Sequence, residues 1–171
     1  MDDFKKIILP ILGVMLFIVV VGLVYGNKET KIPFSGNSKS KEEKNKTVDI
    51  KINNTIINAA VADNEDLRKI GLGGKEQLAE NEGMLFVFDK KDIIASFWMK
   101  DMLIAIDILW INDSKIIQID KDIKPPKKGT PDKDLKTYIS NKPVDYVLEV
   151  AGGYSDKKGI KEGDIVEISK L

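Results

Sequence analysis

Residues 105–123 read "AIDILWINDSKIIQIDKDI", and the fold turns on them. Two Ile-rich runs flank "DS" at 113–114. Branched and aromatic side chains favour extended backbone, and two short polar residues between such runs supply a tight turn. The stretch predicts a hairpin, 105–112 against 115–123. Asp107 is its anomaly, a carboxyl set inside what reads as a core strand. Burying a charge without partners costs several kcal/mol. Asp107 therefore accepts backbone N–H bonds from a nearby turn, pairs with Lys100, or belongs to a site.

The same reading extends outward. "TVDIKI" (47–52) alternates apolar and polar residues, "NN" offers a turn, and "TIINAAV" (55–61) returns as a second strand. "DNEDLRKIG" (63–71) predicts a helix of about two turns, with Asp63 as N-cap and Gly71 as its stop. A short turn is expected at 76–79. "GMLFVF" (83–88) reads as a strand buried on both faces, and "IIASFWM" (93–99) as the next. Residues 124–137, "KPPKKGTPDKDLKT", hold three Pro and one Gly and predict an exposed loop. "VDYVLEVAGG" (144–153) alternates, which places Asp145 and Glu149 together on its polar face. A helical turn at 155–158 and a strand within "EGDIVEIS" (162–169) complete the chain. Seven or eight short strands and one or two short helices define a mainly β, β-rich α+β fold. Its expected form is a compact antiparallel sandwich or barrel.

The N-terminus is of another kind. After a six-residue tail, residues 7–25, "IILPILGVMLFIVVVGLVY", carry no charge. About 20 apolar residues in a helix cross a bilayer core. The run exceeds a signal-peptide core, and "GLVYGN" is a poor cleavage site, so an uncleaved single transmembrane helix is expected. Residues 26–46 are rich in Lys, Ser, Asn and Glu and predict a flexible linker to a globular domain at 47–171. Lys residues flank the span on both sides and give no clear orientation. Long domains translocate largely regardless of flanking charge, so the domain is expected outside the cytoplasm at the cell membrane.

Charge and composition narrow the chemistry. Residues 1–47 hold eight Lys against five acidic residues, a charge of +3; 19 basic against 22 acidic residues leave −3 on 48–171. A mildly acidic domain lacks the clustered positive charge that nucleic acid requires, so no nucleic-acid partner is expected. The chain has neither His nor Cys. That removes thiol nucleophiles, imidazole-based triads and ordinary zinc sites; any metal would have to be a hard, oxygen-bound ion such as Ca²⁺ or Mg²⁺, and no cofactor or metal site is assigned.

Several words stand in order: "GL" (71–72), "ENEGMLFVF" (80–88), "SFWMK" (96–100), "IDILWI" (106–111), "YVLEVAGG" (146–153) and "GIKEGDIVEI" (159–168). Through them the chain resembles the domain-of-unknown-function family numbered 192, over roughly 48–169. The resemblance implies a compact β-rich domain, often membrane-anchored or exported, with no established activity. Two departures stand out. Gly73 replaces the Met that usually follows "GL", with Lys75 where Arg is usual, and Asp101–Met102 replace Asn-Thr after "WMK".

Trp98, Met99, Lys100, Asp107 and Glu149 are the candidate ligand-binding residues. Lys100 and Asp107 would orient an anionic or hydroxyl-bearing ligand over Trp98 and Met99. Against this stands a plainer reading: Asp107 held by backbone, with Trp98, Met99 and Trp110 in the core. Asp107 and Glu149 as an acid–base pair would need a separation of about 5–9 Å. Arg68, the single arginine, suits either a carboxylate pair or a solvated helix face. The expected function is a membrane-anchored binding or interaction module, its partner a small polar ligand or a protein. The alternative is a carboxylate-dependent hydrolase or carbohydrate-acting enzyme built on a Lys100/Asp107 pocket.

Overall fold

The computed structural model describes residues 46–171, so the span expected at 7–25 and nearly all of the linker at 26–46 lie outside the described residues. Among the described residues no helix is long and apolar enough to cross a membrane.

Nine strands form: β1 (Thr47–Ile52), β2 (Thr55–Ala62), β3 (Glu82–Val87), β4 (Ser96–Trp98), β5 (Ile106–Asn112), β6 (Lys115–Ile123), β7 (Thr137–Ile139), β8 (Tyr146–Ala151) and β9 (Val166–Ile168). Two short helices, Glu65–Ile70 and Tyr154–Lys158, complete a mainly β fold. Seven strands make one sheet in the order β6-β5-β8-β3-β2-β1-β9, and β4 with β7 makes a separate ribbon. The neighbours are antiparallel except β2 and β3, which run parallel. That exception to the expected antiparallel sheet arises because the Glu65–Ile70 helix carries the chain across between them. The sheet curls into a half-barrel whose edges meet at one end. Lys115 bridges Ile165 there, and Ile116 N–H donates to Asp164 O at 3.0 Å.

Curling gives the sheet two apolar faces. Ile50, Ile57, Leu85, Leu109, Ile111 and Leu148 fill the concave side. Met84, Phe86, Ile106, Ile108, Trp110 and Val147 pack outward under a second layer with Leu72, Met99 and Met102. Period-two alternation sends neighbouring residues to opposite faces. Because both faces of β5 and β8 are covered, those strands are buried except at their ends. The polar face expected on 144–153 is therefore under cover, with Asp145 and Glu149 both buried.

Local details refine the sequence reading. The first helix is capped by Asn64, not Asp63: the Asn64 side chain accepts the Leu67 N–H at 2.9 Å, and Gly71 stops the helix. The loop expected at 124–137 is interrupted by a 3-10 turn, Asp132–Asp134, and β7 begins at its end. Gly83 allows β3 to lie close against β8, since a Cβ there would stand 2.7 Å from the Glu149 carbonyl oxygen.

Candidate functional site

Asp107 is fully buried and committed to backbone. Its Oδ1 accepts the N–H groups of Asp122 (2.8 Å) and Gly153 (2.9 Å), and its Oδ2 accepts that of Ser155 (2.8 Å). A bulge in β6 makes the first bond possible. The β5–β6 register slips between Ile106 and Ile108, and Asp122 takes a left-handed φ of 48° that turns its N–H inward. The other two bonds fasten the start of the Tyr154–Lys158 helix to the sheet. Three donors on one carboxylate compensate its burial. Asp107 thus joins a bulge to a helix and does not face a pocket.

Lys100 does not approach this group. Its ammonium pairs with Asp132 in the 3-10 turn and lies 5.6 Å from the centre of the Trp98 ring. The Lys100/Asp107 pocket is therefore not assembled. Met99 is buried in the outer layer, as is Trp110, whose Nε1 donates to Asp120 at 2.8 Å. Trp98 differs from its expected core position, being 44% exposed. The alternation of β4 explains it: Phe97 turns inward to an edge-on contact with Phe86, 4.8 Å between centroids, which sends Trp98 outward.

Glu149 is the unusual group. It is 4% exposed, flanked across the sheet by Met84 on β3 and Ile108 on β5. No hydrogen bond to its carboxyl forms among the described residues, and burial alone pushes its pKa up to about 8. An apolar setting disfavours the charged form, so the group is mostly protonated at neutral pH. The remaining exposure opens into a cleft of about 130 Å³ between the Glu65–Ile70 helix and β4. Leu72, Phe86, Phe88, Phe97 and Met102 form its walls, with Arg68, Lys69, Trp98 and Lys100 also lining it.

Two of the three cations lining the cleft, Arg68 and Lys100, have partners; the third, Lys69, is exposed to solvent. Arg68 Nη1 donates to the Val87 carbonyl at 2.7 Å, and Nη2 stands 3.6 Å from Asp89. Lys100 is held by Asp132. The cleft thus presents apolar and aromatic walls, two paired cations, the exposed Lys69 and one carboxyl with no hydrogen-bond partner among the described residues. Of the five candidates, Trp98, Lys100 and Glu149 come together here, while Met99 and Asp107 lie elsewhere. Asp107 and Glu149 cannot share a substrate, because neighbouring register positions turn them to opposite faces of the sheet. Phe88, Phe97 and Leu72 were not singled out from sequence; the inward parity of "SFW" is the signal that places Phe97. No cluster of His, Cys, Asp or Glu suited to a metal ion occurs among the described residues.

The two departures from the family pattern meet beside this cleft. Gly74 N–H donates to Asp101 O at 2.8 Å, and a Cβ on Gly73 would stand 3.5 Å from that of Asp101.

Fold and site together define a β-domain with a single-acid cleft, and comparison places it in a family. Residues 47–168 match the domain-of-unknown-function family 192, described as "Uncharacterized ACR", and the chain belongs to that family. It is similar to a candidate transcription regulator from Sinorhizobium meliloti 1021, at 26% identity and a TM-score of 0.65, covering 74% of this chain and 96% of that one. A protein of unknown function from Novosphingobium aromaticivorans DSM 12444 is similar at 27% identity and a TM-score of 0.63, covering 71% and 84%. No curated protein matches the chain.

Proposed function

We propose that the domain is a binding module, held at the outer face of the cell membrane by residues 7–25 and the linker, and that the Glu149 cleft receives a small polar ligand. One observation carries this reading: the Glu149 carboxyl, nearly buried and with no hydrogen-bond partner among the described residues, meets an opening between aromatic side chains. Such a group is costly to keep, and a ligand that supplies its missing partner recovers the loss. Pockets of this type, apolar with one convergent polar group, are the usual form of a small-molecule site.

Hydrolysis by paired carboxylates is less well supported. That chemistry needs a second Asp or Glu across the scissile bond. The cleft is lined by Glu149 and no other acidic residue. Nor does the neighbour described as a candidate transcription regulator extend to nucleic acid here, since residues 48–171 carry a net negative charge.

Two experiments test the proposal. A screen of small polar solutes against the full chain, read by NMR, should yield at least one that saturably shifts Phe97, Trp98 and Met102. Solutes that shift only the 124–137 loop would move the site away from Glu149. Protease added to intact cells should cut the linker and release the domain; complete protection would reverse the proposed orientation.

A further inference from the structure

We infer that the Glu149 cleft takes a primary ammonium on a short unbranched chain, with the ammonium against the Glu149 carboxylate and the methylenes between aromatic walls. This deepens the reading of the cleft as a binding site and rests on it. Three observations lead to it.

The first is charge. Arg68 is bonded to Val87 O and faces Asp89, and Lys100 is paired with Asp132, so two of the three rim cations are already answered, and the third, Lys69, is exposed to solvent. The buried group left to answer is the Glu149 carboxyl, and an ammonium supplies both the hydrogen bonds and the charge it lacks. The second is the wall chemistry. Phe88, Phe97 and Trp98 line the path to Glu149. Aromatic faces attract cations and tolerate the methylenes behind them. The third is size. An apolar cavity of about 150 Å³ accommodates benzene, so a cleft of about 130 Å³ suits a chain of roughly five heavy atoms.

Binding then moves a proton. Glu149 is mostly neutral when the cleft is empty and must ionise to hold an ammonium, so the proton leaves to solvent as the ligand enters. The charged groups lining the cleft are Arg68 and Lys69 on the helix and Lys100 beyond β4. The strand neighbours Met84 and Ile108 are uncharged. Glu149, pushed up to about 8 by its burial, sets the pH dependence.

The test uses the full chain in detergent solution, with n-butylammonium, n-butyrate and n-butanol as probes and the NMR shifts of Phe97 and Trp98 as readout. n-Butylammonium should bind saturably and more tightly by about tenfold from pH 6 to pH 7 and about fivefold from pH 7 to pH 8, as linkage to a single proton with a midpoint of about 8 requires. Glu149→Gln should weaken it at least tenfold at pH 8 while the spectrum elsewhere is kept. A second arm compares Nα-acetyl-lysine methylamide with n-butylammonium. Tighter binding of the former assigns the ammonium to a lysine side chain in a polypeptide, and equal or weaker binding assigns it to a free amine. Saturable binding of n-butyrate or n-butanol with none from n-butylammonium would overturn the ammonium assignment and leave the cleft a binding site. Absence of a saturable shift from all three probes would overturn both.

Discussion

Asp107 and Glu149 lie on adjacent strands one register step apart, Asp107 opposite Val150 and Ile108 opposite Glu149, and their carboxyls point to opposite faces of one sheet. The two groups are nearly equally buried and differ in every other respect. One accepts three backbone N–H bonds; the other accepts none and meets a cleft. Burial alone does not mark a functional acid. What separates them is whether the surrounding backbone supplies donors.

Asp107→Ala should destabilise the domain severely. It strands three inward N–H groups, and bonds to a charged acceptor contribute about 1.5–3 kcal/mol each. A loss of roughly 3 kcal/mol or more is expected in chemical denaturation. Asp107→Asn, which keeps one acceptor oxygen, should lose less. An unchanged denaturation midpoint for the Ala variant would show that these bonds do not hold the helix to the sheet.

Glu149→Gln should act in the opposite direction, and its effect should depend on pH. The folded carboxyl titrates near 8, against an unfolded value of 4.5. Between those values the unfolded state has released its proton while the folded state retains it, so folding stability falls as pH rises from about 4.5 to about 8. Gln cannot ionise and escapes that penalty. The variant should melt higher than the parent at pH 8, by several degrees, with the difference shrinking toward pH 4.5. Thermal scans across this range provide the check; parallel curves for the two proteins would reject it.

Lys100→Met separates the surface pair from the core. Lys100 is bound to Asp132, an exposed partner, and surface pairs contribute little. The melting temperature should therefore stay almost unchanged, and the Asp107 bonds should be unaffected. A large drop in melting temperature would return Lys100 to a structural role at Asp107.

Much of this fold was legible in the chain. The 115–123 strand was read with its observed bounds, and the 47–61 hairpin closely, because branched residues alternate around short polar turns. β7 was missed: it has three residues, follows a Pro- and Lys-rich loop, and forms only by pairing with β4, with Phe97 opposite Tyr138. The parallel β2–β3 pair was missed because a hairpin and a crossover look alike when the helix between them is six residues long. Alternation sets Glu149 on the polar face of its strand, but it says which residues share a face and not what covers it. The cover over Glu149 comes from Leu72, Phe97 and Met102, which are distant from it in sequence. For the same reason Lys100 and Asp107, close in the chain, were expected to meet and do not.

The ionisation of Glu149 tests the account most directly. Carboxyl ¹³C shifts of the full chain, followed from pH 4 to pH 10 and assigned through Glu149→Gln, should show this one glutamate titrating with a midpoint of about 8. A midpoint at the ordinary glutamate value, near 4.5, would mean that the carboxyl already has solvent or a partner, and would contradict the unpartnered acid on which the binding site is built.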